Sequence, residues 1–258
     1  MLFDRVTRDF CLASFLPLLL TLTSVTSLDH PVLWRRLFAE CLGSLLLAAV
    51  VIGSGIAAQT LSPNMVGLQL LENATATAAG LYFLILSLGP VSGAHFNPLV
   101  SLVDAATGGL RWREVPWYVT AQVLGCTLGA IVANMMFSHA ALSISTDHRA
   151  STAHLFAEVV ASAGLILVIF TLTRSSRGHL CASAVALYIG AAYFFTSSTS
   201  FANPAIAIGR MFSNTFAGIT PASVPGFIAA ELVGGVVGYF VIVTLYPNAP
   251  RELHELES

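Results

Sequence analysis

The chain contains no lysine. Its eleven basic residues are all arginine, a bias for which we have no physical account, and charged residues make up only 9% of the 258 positions. A soluble domain carries about a quarter charged residues, so this scarcity excludes an ordinary water-facing surface. The formal net charge of −2 gives neither a basic footprint for nucleic acid nor an acidic interaction tail. The four cysteines (Cys11, Cys41, Cys126 and Cys181) are scattered through apolar stretches without metal or redox spacing, and read as small packed hydrophobes. No nucleophile–base pair, metal-ligand cluster or nucleotide motif stands out. An enzyme is therefore not expected, and neither is a metal, a cofactor or a nucleic-acid partner.

What the chain has instead is apolar length. Apolar residues reach 56% and the mean hydropathy is +0.81. Six runs approach the roughly 20 residues needed to cross a bilayer: Leu33 to Ala57, Leu70 to Gly89, Val115 to Phe137, Ala153 to Thr173, Leu180 to Ser198 and Val224 to Tyr246. With six spans, Arg35, Arg36, Arg111, Arg113, Arg174, Arg177 and Arg251 fall on one side, against Arg149 and Arg210 on the other. The positive-inside rule then places both termini in the cytoplasm. The first thirty residues fit least well. Arg5 and Arg8 followed by the apolar run from Phe10 to Leu22 resemble a signal peptide, which conflicts with a cytoplasmic amino terminus. An amphiphilic extension and a misassigned start are both open.

Between the spans lie two short polar breaks, each holding an asparagine–proline pair: Asn97-Pro98-Leu99 and Asn203-Pro204-Ala205. Asparagine is a strong helix N-cap and proline is favoured at the first helical position. Each pair therefore starts a helix, near Asn97 to Ala106 and Asn203 to Ser213, too short to cross alone. The halves of the chain repeat. Leu37-Phe38-Ala39-Glu40 recurs as Leu155-Phe156-Ala157-Glu158, and Ala121-Gln122-Val123-Leu124-Gly125 as Ala230-Glu231-Leu232-Val233-Gly234, in the same order as the Asn-Pro pairs. Each copy holds three spans and one half-helix. An odd number of spans inverts the second copy, so the half-helices enter from opposite faces and meet near the midplane. The expected layout is an extension at 1–30, a first repeat at 31–137, a connector at 138–153, a second repeat at 154–247 and a tail at 248–258. Gly125 with Gly129, and Gly234 with Gly238, stand four apart and permit close helix crossing.

These residues resemble the aquaporin, or major intrinsic protein, family over roughly Leu33 to Tyr246. The resemblance implies an all-α membrane protein of six transmembrane helices and two re-entrant half-helices, assembled as a homotetramer with one pore per subunit. It implies that Asn97 and Asn203 donate hydrogen bonds to solutes in single file, while both half-helix dipoles oppose cations. Glu40 and Glu158, ionisable groups inside spans, would brace the re-entrant loops. A proton relay is the sharper alternative for them.

Water-selective members of the family place an arginine directly after the second Asn-Pro-Ala, with a histidine and an aromatic residue opposite. Here that position is Ile206, and counting without gaps puts Ser200, Ala191 and Thr77 at the other filter positions. Such a filter is wide and uncharged. Arg210 follows Ile206 by four residues, on the same helix face about 6 Å farther out, and is read as a displaced filter arginine. His95 borders the inner half of the pore, as a titrating gate or a loop brace. Leu99 replaces the alanine usual in the first box, where it can repack the half-helix contact. The stretch from Phe195 to Pro204 with Gly209-Arg210 resembles bacterial members linked to arsenite. The expected function is passive conduction of small neutral solutes, glycerol or metalloid hydroxides such as arsenous acid, with water, in a bacterial inner membrane. A water-selective channel is the runner-up, followed by a coupled secondary transporter. An adhesion protein on the same scaffold is disfavoured by the short loops.

Overall fold

The computed structural model describes residues 31–247. The 1–30 extension and the 248–258 tail, with Arg251, lie outside the described residues. Within them the chain is helical and contains no strand: α1 (Leu33–Leu61), α2 (Val66–Ser92), short α3 (Pro98–Thr107), α4 (Val115–Met136), α5 (Thr152–Arg174), α6 (Cys181–Phe195, entered through a 3-10 turn at Gly178–Leu180), α7 (Pro204–Arg210) and α8 (Val224–Leu245). All but α3 and α7 are long and apolar enough to cross a membrane, counting α6 with its leading turn. At 1.5 Å per residue α7 reaches only about 10 Å. The fold is the all-α membrane architecture expected: six transmembrane helices and two half-helices in an inverted repeat.

Apolar side chains cover the outside. Phe38, Leu187 and Phe240 are 64%, 74% and 62% exposed, a pattern suited to lipid, where every backbone group must be satisfied within the protein. Without a hydrophobic drive between helices in lipid, close backbone approach does the packing. Helix α1 runs along α4, and α5 along α8. A Cβ on Gly125 or Gly129 would strike the Cys41 or Leu45 carbonyl of α1. In the second repeat a Cβ on Gly234 would stand 2.5 Å from Val159 O, and one on Gly238 3.0 Å from Ala163 O, both on α5. Val159 and Ala163 occupy in α5 the places of Cys41 and Leu45 in α1, so both repeats close the same crossing with the same pair of glycines.

Helix ends differ from the hydropathy boundaries where capping decides. Helix α1 continues to Leu61 and α2 begins at Val66. Helix α6 stops at Phe195 rather than Ser198, because Thr196 turns extended and Thr199 and Ser200 adopt positive φ (64° and 52°). Helix α7 stops at Arg210. Beyond it the chain tightens into turns closed by Phe212 N–H on Gly209 O and Ser213 N–H on Arg210 O.

The arginines gather at two ends. Arg36, at the start of α1, bonds Glu114 at 2.5 Å, and Arg111 reaches the same carboxylate. Arg149 and Arg210 belong to the end of Gln59, which accepts from Phe216 N–H, about 35 Å along α1. Burial would raise the Glu114 carboxyl, but hydrogen bonds from Arg36 and Arg111 outweigh it and hold the group below the ordinary carboxylate value.

Candidate functional site

Asn97 and Asn203 cap α3 and α7 from extended backbone (φ −153° and −158°). Asn97 Oδ1 accepts from Leu99 N–H at 2.9 Å, and Asn203 Oδ1 from Ala205 and Ile206 N–H at 3.0 and 3.3 Å. Pro98 and Pro204 fill the first helical positions, where no amide donor is needed. The Nδ2 groups then cross between repeats: Asn97 donates to Ala202 O at 2.7 Å and Asn203 to Phe96 O at 2.8 Å. Each side-chain amide carries two N–H groups. One holds the loop that leads into the opposite half-helix, and one per asparagine has no hydrogen bond to the protein.

The loops feeding these tips are shaped from behind by carboxylates. Glu40 accepts four hydrogen bonds: from Ser92 Oγ (2.7 Å), His95 N–H (2.9 Å), Phe96 N–H (2.7 Å) and Gln122 Nε2 (2.8 Å). In the second repeat Glu158 accepts from Phe201 and Ala202 N–H at 2.9 and 2.7 Å, and Glu231 from Asn203 N–H at 3.0 Å. Successive amides can face one carboxylate because each loop passes through left-handed backbone. Gly93, Ala94 and Phe96 (φ 89°, 51°, 48°) match Thr199, Ser200 and Ala202 (64°, 52°, 46°). Both oxygens of Glu40 are spent on the loop, which is the bracing geometry. The halves differ behind the brace: Gln122 Nε2 also reaches Ser101 Oγ at 2.9 Å, whereas Glu231 turns a carboxyl group toward the Glu158 carboxyl.

On the Arg36 side of the tips, His95 Nδ1 lies 3.0 Å from Ser101 Oγ and Nε2 3.6 Å from Asp104 Oδ2, with its ring 5.5 Å from that of Tyr118. These partners hold the imidazole against α3. Leu99 packs onto α8, where a Cβ on Gly235 would collide with its Cδ1. The larger residue of the first box is thus seated over a glycine.

On the other side, Ser200 and Ile206 are buried at 4% exposure each, and Ser200 Oγ has no protein partner. Thr77 Oγ1 stands 3.1 Å from Tyr193 OH. Ala191 does not join them: it is exposed, on the face of α6 that carries Leu187 and Phe194. The gap-free count therefore lands on the wrong helix face, and the α6 side chain that meets Thr77 is the aromatic Tyr193.

Arg210 ends α7 almost completely buried. Its guanidinium carbon lies 3.5 Å from the Phe201 ring centroid, and its Nε donates to Ala217 O. Arg149, in the connector between the repeats, stands 5.7 Å from the same ring and donates to Gly218 O at 2.7 Å and Phe216 O at 2.8 Å. Burial draws the Arg149 pKa below the usual arginine value, against the pull of Asp147. Both arginines, with Asn73, Thr199 and Phe216, line a cavity of about 150 Å³.

Residues 27–200 match the family profile described as major intrinsic protein. The chain belongs to the major intrinsic protein family. It is 48% identical over 204 residues to the aquaglyceroporin AqpS of Rhizobium meliloti strain 1021, covering 79% of this chain and 87% of the relative. Aquaporin NIP1-1 of Zea mays is 29% identical over 235 residues, 87% of this chain and 80% of its own. Among solved structures, the aquaglyceroporin from Plasmodium falciparum superposes with a TM-score of 0.64 at 22% identity, covering 84% of this chain and 96% of that one.

As a major intrinsic protein, the chain is a multi-pass membrane channel for small solutes rather than an enzyme. Two residues on the Gln59 side escape a reading by motif. Tyr193 lies two positions past the counted Ala191. Arg149 sits in a connector without periodicity, and its backbone-carbonyl partners leave no sequence signature. Its rarity was the available signal, since it and Arg210 are the two arginines that fall on the sparsely charged side.

Proposed function

We propose that this channel conducts small neutral hydroxylated solutes (glycerol, or metalloid hydroxides such as arsenous acid, together with water) through a filter formed by Thr77, Tyr193, Ser200 and Ile206. The single observation that carries the reading is the apolar Ile206 directly after the second box, with the nearest guanidinium, Arg210, drawn one turn outward onto Phe201. Ser200 Oγ and the spare N–H groups of Asn97 and Asn203 then supply hydrogen bonds to solute hydroxyls, while Ile206 offers an apolar wall to a carbon backbone. Aquaglyceroporin AqpS as the relative at 48% identity supports glycerol-sized cargo. Transport is passive, because the Glu40 carboxylate is spent as a brace rather than placed for proton relay. The assembly is a homotetramer in a bacterial plasma membrane, with the Arg36 and Arg111 end and both termini cytoplasmic by the positive-inside rule.

Stopped-flow light scattering on reconstituted liposomes tests this reading, comparing shrinkage after a sucrose jump with re-swelling after a glycerol jump. Fast shrinkage followed by fast re-swelling is expected, with arsenous acid the next solute. Shrinkage without re-swelling would favour a water-selective channel, a reading that the Thr77 and Tyr193 hydroxyl pair supports by adding bulk opposite Ile206. Accumulation against a glycerol gradient under an imposed proton gradient would mean a coupled transporter instead.

A further inference from the structure

Arg149 and Arg210 come from different parts of the chain, yet they converge on one ring and one cavity. Between them they hold three consecutive carbonyls, of Phe216, Ala217 and Gly218. A guanidinium has five N–H groups; Arg149 spends two on these carbonyls and Arg210 one. Among the described residues neither makes an ion pair. Asp147 is exposed and stays beyond ion-pair distance, and both oxygens of Glu158 are taken by backbone amides. Two cations, one of them 3% exposed, thus share a cavity with no carboxylate in direct contact, Asp147 and Glu158 acting on them only from longer range. The guanidinium N–H groups left without acceptors are what an anion in contact would satisfy. The cavity also offers the Thr199 hydroxyl among its lining groups, while the Asn73 side-chain N–H groups are spent on Val51 O and Ser54 Oγ, and its 150 Å³ is room for about five waters by liquid volume.

We infer that this cavity is a binding site for a small oxyanion of the size of dihydrogen phosphate, held by the guanidinium groups of Arg149 and Arg210 at the mouth beyond Ser200 and Ile206. Planar forks of N–H donors match the oxygen edges of such an anion, and charge-assisted bonds are about twice as strong as neutral ones. Chloride offers no such oxygen pattern. The inference does not rest on which neutral solute passes, since occupancy can be read without any flux.

The test is the thermal stability of the purified detergent-solubilised protein in inorganic phosphate at pH 6, against chloride at matched ionic strength. Phosphate at about ten times its Kd should raise Tm by about 3 °C over chloride. Arg149→Gln and Arg210→Gln should each weaken the half-maximal phosphate concentration about tenfold or more. Arg113→Gln, at the opposite end, should respond as wild type does. No phosphate-specific rise in the wild type would overturn the inference. So would a response equal to that of the wild type in both guanidinium variants. If either glutamine variant does not fold, Arg149→Lys and Arg210→Lys replace them, and equilibrium binding of radiolabelled phosphate to the wild type decides the matter alone. A positive shift with no glycerol flux would leave this site standing while removing the proposed cargo, and the reverse pattern would do the opposite.

Discussion

Leu99 and Gly235 show how a single departure from a repeated motif is absorbed. The second box carries Ala205 where the first carries Leu99, and the extra volume is taken up by the missing side chain at Gly235. Leu99→Ala should cost about 2–5 kcal/mol, as for other buried leucines, and Gly235→Ala should destabilise by collision with the leucine. Combined, the two changes should recover at least about 1 kcal/mol relative to the sum of the single losses. A double-mutant cycle on thermal unfolding reads this directly, and strict additivity would mean the contact is not coupled. A second contrast concerns the braces. Glu40→Gln turns an N–H toward donors that now bond a carboxylate, so it should lower stability by several kcal/mol and reduce solute flux with it. Glu231→Gln should change stability by less than about 1 kcal/mol, because Asn203 N–H keeps its acceptor and the new amide can donate to Glu158, as Gln122 already does to Glu40. Equal losses in the two variants would contradict the assigned roles.

At the level of elements, the six spans and both half-helix starts were legible because apolar length and the Asn-Pro cap are local signals. The glycines at four-residue spacing announced close crossings of α4 and α8, but not that α1 and α5 are the helices they meet. The end of α6 was not legible, since the left-handed residues Thr199, Ser200 and Ala202 serve to turn the Phe201 and Ala202 amides onto Glu158 of another helix. Nor could the end of α7 be read, as Arg210 is held by the carbonyl of Ala217 in a later turn. The junction of α1 with α4 carries its own prediction. The carboxyl of Glu114 is depressed by Arg36 and Arg111, so its contribution to stability is present above the ordinary value of 4.5 and is lost as pH falls through the lower folded value. Wild type should exceed Glu114→Gln in Tm at pH 7, with the gap closing as the pH drops below 4.5. A gap independent of pH would show that the charge of Glu114 contributes nothing.

For the whole molecule, the inverted repeat places two chemically different mouths on one axis of half-helices. One carries His95, Asp104 and Tyr118; the other carries Phe201 with Arg210 and Arg149. The repeat relation makes Arg210 the counterpart of Asp104, and Phe201 that of His95, so the same backbone frame presents opposite charge at its two ends. Membership of the major intrinsic protein family accounts for the frame. The proposed choice of cargo rests on the side chains beside the second box, Ile206 above all. The most direct test of that claim compares glycerol and water permeability of wild type and Ile206→Arg in the same liposome preparation, water flux serving as the check on folding. The account predicts fast glycerol entry in wild type and at least a tenfold loss in Ile206→Arg with water flux retained. Glycerol entry as fast in Ile206→Arg as in wild type, or absent from both while water passes, would contradict it.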